Sequence, residues 1–184
     1  VTYDRPTAPG PLDEIEAFCN SARFLYGEES LSDVAGARAW LRGQGYPEAA
    51  AELDEATRQD LVAVREAIRD HVSGSGRERD RARGLLNDYA EGTLSAPRWS
   101  AGGRPEIPVA DTDPVHALIG RMLGVLAAEE LAGRRDRLKA CRSAECRWLY
   151  YDRSAANNSV WCSMSICGAR HKMRSYRSRR RGGS

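Results

Sequence analysis

Long apolar runs are missing from this 184-residue chain. The longest apolar region, Ala117 to Ala132, is broken by Arg121, Glu129 and Glu130, so no segment reads as a membrane span. The first residues, Val1-Thr2-Tyr3-Asp4-Arg5-Pro6, have no apolar stretch of the kind a signal peptide needs, and none is expected. There is no Gly-rich phosphate loop, no nucleophile elbow and no His-Glu-x-x-His, so no enzyme class is indicated. Histidine is scarce, with three residues, and the acidic pairs Glu28-Glu29 and Glu129-Glu130 are adjacent in sequence and would point apart on a helix. Cysteine is also sparse, five in all, but four of the five fall in two tight pairs. What remains is an ordinary globular composition, 41% apolar and 29% charged, long enough for one domain with a real core plus a small module.

The paired cysteines organise the chain. Cys141/Cys146 and Cys162/Cys167 are two Cys-x4-Cys pairs in the stretch CRSAECRWLYYDRSAANNSVWCSMSICGARHK. Each pair can offer two thiolates from one turn, and the residues between need only bring the chain back, which suits one tetrahedral structural zinc. Two disulfides or unrelated buried thiols are the alternatives. A catalytic zinc fits less well, because four cysteines close the shell. His171 is a substitute ligand that the set does not require. One leftover cysteine, Cys19, suits a reducing, cytoplasmic setting in which thiols hold metal, and its place on an apolar helical face reads as a small buried residue.

Net charge is only +2, yet it is divided. Residues 134–184 carry fourteen Lys/Arg against three acids, and residues 1–133 fourteen against twenty-three. A basic module attached to an acidic one points to a polyanion as partner of the former.

These residues resemble the bacterial CGNR zinc-finger proteins. The resemblance rests on the two Cys-x4-Cys pairs, on Trp148-Leu149-Tyr150 followed by Asp152-Arg153-Ser154, and on Trp161-Cys162-Ser163-Met164 leading to Cys167-Gly168-Ala169-Arg170-His171-Lys172. Ala169 stands where the family name has Asn. The resemblance implies a helical N-terminal domain and a stress-linked transcription regulator whose finger binds DNA. Asn20 falls where the family often has Asn.

Along the chain, three prolines and a glycine in residues 1–11 predict an irregular lead-in. Apolar residues from Leu12 to Tyr26 at three- and four-residue steps predict a helix. Ser32 reads as the cap of a helix ended by Gly43 and Gly45, with another turn begun by Pro47. Leu61, Val64, Ile68 and Val72 mark a helix over about 55–72, with His71 on its surface. The next is opened by Arg77 and buries Ala82, Leu85, Leu86 and Tyr89. Residues 93–109 read as a β-hairpin confined to an edge by its prolines, with Trp99 packed on the adjacent helix. Asp113-Pro114 starts the most apolar helix, 115–131, a core element or a dimer face, with His116 in its first turn. In the finger, strands are expected at 148–151 and 160–161, with Trp148, Tyr150 and Trp161 as a miniature core. Gly168 is expected to let the backbone approach closely beside the metal. The last helix, from Ala169 towards Arg180, sets Arg170, Arg174, Arg177 and Arg181 on one stripe and Ala169, Met173 and Tyr176 on another, which should dock. Lys172, Arg179 and Arg180 add to the basic surface, and the end of the chain is expected to fray into a flexible arm.

The sequence thus predicts a mainly α domain with a small β-hairpin over residues 1–133, followed over 134–184 by a treble-clef-like four-cysteine zinc finger. The function it points to is DNA-binding transcription regulation, with the helical domain sensing a small molecule, dimerising or binding a partner. The competing reading is a ligand-binding protein or enzyme in the helical domain, with the finger as a clasp.

Overall fold

The computed structural model describes residues 5–181. The first four residues of the lead-in and the last three of the C-terminal arm lie outside that range. In order, the elements are α1 (Leu12–Cys19), β1 (Ala22–Arg23), β2 (Glu28–Glu29), α2 (Val34–Gly43), α3 (Pro47–Glu52), α4 (Glu55–Ser73), α5 (Arg77–Thr93), β3 (Arg98–Trp99), β4 (Pro105–Glu106), α6 (Pro114–Leu131), β5 (Leu138–Ala140), β6 (Leu149–Tyr151) and α7 (Ala169–Arg181). The strands form three separate antiparallel pairs, β1–β2, β3–β4 and β5–β6.

Local chemistry explains the helix starts. Asp54 accepts from Thr57 N at 2.8 Å while Thr57 Oγ1 accepts from Asp54 N at 3.0 Å, a reciprocal cap on α4. Asp113 accepts from the Val115 and His116 amides at 2.9 Å, with Pro114 at the first helical position of α6. At α2 the cap is Asp33, which accepts from Gly36 N at 2.8 Å, one residue beyond the expected Ser32. The first helix also stops earlier than periodicity suggested. It ends at Cys19, and the apolar residues up to Tyr26 belong to β1 and a 3-10 turn instead.

The core lies between α1, α4 and α6, closed by α2, α3 and α5. Leu12, Ile15, Leu41, Leu61, Val64, Ile68 and Ile119 have no exposed area. α5 and α6 meet closely at Gly120, where a Cβ would come within 2.9 Å of the Thr93 carbonyl oxygen. Leu138 of β5 and Leu149 of β6 belong to this same core, so the finger's hairpin completes the helical domain in packing, although the sequence divides at 133/134.

Several expectations fail. Trp99 does not pack on a helix; it is 70% exposed. Leu131, the last residue of α6, is 85% exposed. His71 is half-buried rather than free in solvent: its Nε2 lies 2.7 Å from Glu130 Oε1, and Arg135 donates to its carbonyl at 3.1 Å. The returning strand at 160–161 is irregular chain, tied by the Arg142 amide to the Val160 carbonyl at 3.0 Å. The partner of β6 is β5, which precedes the first cysteine pair. No helix among the described residues is long and apolar enough to cross a membrane.

Candidate metal centre

The four cysteines come together at the base of the finger. The first pair sits in a turn after β5, in which the Cys146 and Arg147 amides both donate to the Ser143 carbonyl, at 2.9 and 3.0 Å. Arg147 takes φ 50°, which turns the chain into β6. The second pair closes a π-helical turn, Met164–Gly168, started by Ser163, whose hydroxyl accepts from Ile166 N at 3.2 Å. Gly168 is close-packed as expected, but against the Met164 side chain, 3.2 Å from where a Cβ would lie.

The four sulfurs all lie within 4.8 Å of one another, and every one of these cysteines is buried. Cys146 Sγ is 3.6 Å from Cys162 Sγ, which is 3.7 Å from Cys167 Sγ. A disulfide needs about 2.05 Å, so these thiols are not paired covalently. A zinc ion bonded to four sulfurs at about 2.3 Å sets sulfur–sulfur distances near 3.8 Å, matching the spacing found. The neighbouring thiols hydrogen-bonded to Cys162 push its pKa far up, and burial pushes Cys167 up to about 12, helped by the charges of Cys141 and Cys146. Four thiolates crowded this closely need a cation to offset their repulsion, and the donor set is all sulfur with no opening for substrate. The residues fit one structural zinc held by Cys141, Cys146, Cys162 and Cys167. His171 stays outside that set; it stacks on Trp161 with ring centroids 5.0 Å apart.

The predicted finger core is present. Tyr150 is buried among the cysteines, with Trp148 and Trp161 packed half-buried against them. Tyr150 donates to the Ser159 carbonyl at 2.8 Å. Asp152 has no exposed surface and acts as the staple of the Asn/Ser-rich turn. It accepts from Lys139 Nζ at 2.6 Å, Ser159 N at 2.8 Å and Ser154 N at 2.9 Å. Burial opposes its charge, but these donors win and hold the carboxyl well below the usual carboxylate range.

A second set of residues docks the finger on the helices, and the sequence reading passed over most of it. Asn20, at the end of α1, donates to the Leu149 carbonyl and accepts from the Leu149 amide, both at 2.9 Å, as a neighbouring strand would. Arg69 of α4 has no exposed area; it donates to the Cys19 carbonyl and to the Arg147 carbonyl, the latter at 2.7 Å, and its guanidinium lies over the Phe24 ring. Arg147 answers with an ion pair to Asp70. One turn earlier Arg65 binds Glu29 through two 2.7 Å bonds. Arg65 and Arg69, four residues apart on the face of Leu61 and Ile68, were the available signal: charge on an apolar stripe must be paired.

Beyond the second pair, α7 leans chiefly on the π-helical turn from which it starts. Arg170, Lys172, Arg174, Arg177, Arg179 and Arg180 are all exposed, and Arg181 is the last residue of the helix. Arg174 pairs with Glu145 at 2.8 Å. The apolar stripe does not dock: Met173 and Tyr176 are each 52% exposed.

A comparison with curated proteins gives no match. A scan against family models matches residues 137–180 to the CGNR zinc finger and residues 15–134 to the ABATE family, described as "Putative stress-induced transcription regulator". The second match spans more than half of the chain and abuts the first at the strand that carries the finger, and the chain belongs to the ABATE family, with a CGNR zinc finger as its C-terminal part.

Proposed function

We propose that the protein is a DNA-binding transcription regulator of the cytoplasm, in which α7 makes the DNA contact and zinc fixes where that helix begins. The observation that carries this reading is the state of α7. It is a thirteen-residue helix with six exposed cations among its described side chains, anchored at its start and largely uncovered beyond it. Arg170, Arg174, Arg177 and Arg181 fall on one face by spacing, a stripe suited to phosphates, or to guanine edges if the helix enters a major groove. Ala169, in the first turn, is exposed and offers no side-chain hydrogen bond of its own, so specificity falls to the arginines around it. The rival reading, an enzyme or small-molecule sensor in the helical half, has less behind it: no metal-ligating cluster other than the four cysteines occurs among the described residues, and a continuous, mainly aliphatic core fills the centre of the helical half.

The test is binding of the zinc-loaded full chain to the DNA upstream of its own coding region and to random duplex, over a salt series. Six to eight neutralised phosphates give a slope of log K against log salt of about −5 to −7. Arg170→Ala with Arg174→Ala should abolish binding while zinc content and melting temperature stay unchanged. Binding that survives this pair removes α7 as the contact surface.

A further inference from the structure

Between α5 and α6 the chain leaves the body as an arm. Its root is the Leu94–Val109 bridge, flanked by bonds from Ser95 N to the Pro108 carbonyl at 2.8 Å and from Ala110 N to the Thr93 carbonyl at 2.9 Å. Its tip is closed by Ser100 N to the Arg104 carbonyl at 2.9 Å. Residues 95–99 and 101–106 are all exposed. The side chains of Arg98, Trp99 and Arg104 make no hydrogen bond, ion pair or ring contact with any described residue; only their main chain is engaged within the hairpin. A two-stranded hairpin that buries neither face is marginal in water, and an uncovered tryptophan is most of a binding anchor in search of a pocket. The arm therefore has the composition of half an interface.

The other half is on the same chain. A groove of about 830 Å³ opens between α1, the α2–α3 junction and the first half of α6. Its floor holds Phe18 and Trp40, with ring centroids 6.1 Å apart, and Tyr46 lies beside them. Its rim carries Asp13, Glu14 and Glu48 against the single cation Arg121. Glu14 is taken by Arg121 at 2.6 Å, while Asp13 and Glu48 have neither hydrogen bond nor ion pair from their carboxyl groups among the described residues. Two uncommitted carboxylates over an aromatic floor complement two uncommitted guanidiniums around an exposed tryptophan. The arm does not fill its own groove: Trp99 is 70% exposed and is not among the residues that line it. Val109 lines the groove and also roots the arm, and Trp99 is five residues along the chain from Leu94 at that root, a span of up to about 17 Å.

We propose that two copies of this chain exchange arms: Trp99 of each seats against Trp40 and Tyr46 of the other, with Arg98 and Arg104 set against Asp13 and Glu48. Because arm and groove share an edge, one two-fold axis makes both junctions at once, the self-complementary arrangement of a closed dimer. The proposal stands apart from DNA recognition, since it needs neither α7 nor nucleic acid.

Sedimentation velocity of the zinc-loaded full chain, without DNA, across nanomolar to high micromolar concentrations reads the association directly. The wild type should be a dimer. Trp99→Ala should weaken it by at least about thirtyfold, the loss expected of an anchor residue, with zinc content and helical circular dichroism unchanged. A charge exchange guards against mere misfolding. Arg98→Glu/Arg104→Glu alone and Asp13→Lys/Glu48→Lys alone should each be monomeric, and mixing the two should restore a heterodimer, because every junction is then matched. A wild type that stays monomeric at high micromolar concentration overturns the proposal, even if the groove then binds an organic cation or the arm then contacts DNA. So does a Trp99→Ala variant that dimerises as tightly as the wild type, or a mixed pair that fails to associate.

Discussion

Cys19 and the four finger cysteines are all buried, yet their chemistry should differ. Cys19 has no exposed area, and burial pushes its thiol up to about 12, so at neutral pH it is a packed apolar group rather than a nucleophile. Alkylation of the native zinc-loaded protein, read by mass spectrometry, should add no label; after chelation the finger cysteines should label well before Cys19. Cys167→Ser should remove the bound zinc, taking the stoichiometry from about one to near zero by metal analysis. Asp152 supplies a pH signature. Its folded carboxyl is held below its unfolded value, so its contribution to stability is complete above about pH 4 and is lost as pH falls further, through the folded value. Asp152→Asn should therefore lower the melting temperature at pH 7 and flatten its acid dependence below about pH 4, while a wild-type profile unchanged by the substitution would remove the carboxylate from the account.

Among the elements, α4 does more than its sequence announces. Its apolar residues mark a helix, and a helix is found, but its two buried arginines hold β2 through Glu29 and the finger through the Arg147 carbonyl. Arg69→Met keeps much of the apolar volume and strands two carbonyls; a loss of about 3–5 kcal/mol is expected in denaturant titration, since a buried charge-assisted network is broken. Asn20→Ala should cost about 1–3 kcal/mol by the same measurement, for two bonds to Leu149. The helices and the cysteine cluster were legible in sequence because both depend on spacing: 3.6-residue periodicity and paired ligands. Of the strands, the 93–109 hairpin and β6 were legible, but the pairing of β6 was not: β5 is three residues long and its partner lies beyond the first cysteine pair, so nothing local records it. Trp99 and the Ala169/Met173/Tyr176 stripe misled for one reason: apolar residues imply burial only if some surface is within reach, and that is a tertiary fact.

At the scale of the whole molecule, the acidic helical half and the basic finger share one hydrophobic core through Leu138 and Leu149. Metal bound only to the folded state stabilises whatever folds with the site. Zinc removal should therefore lower the melting temperature of the helices as well, in one transition by circular dichroism at 222 nm; two separated transitions, with only the smaller responding to chelator, would show that the halves fold independently. The α7 helix is only loosely tied into this coupling, since it leans chiefly on the π-helical turn, with Arg174 on Glu145 and His171 on Trp161 beside it, and variants along its exposed face should leave that transition where it is.

Beside the packed Leu138 and Leu149 and the Arg147 ion pairs, the helical half holds the finger by main-chain atoms. Asn20 takes the amide and carbonyl of Leu149, Arg69 the carbonyl of Arg147, and Arg5 the carbonyl of Trp161. Every residue type but proline offers those same two groups. That part of the grip is blind to side-chain identity, so with Leu138, Leu149 and Arg147 kept, a lineage could rewrite the outward face of the finger, and with it whatever that face recognises, without reworking the socket that carries it.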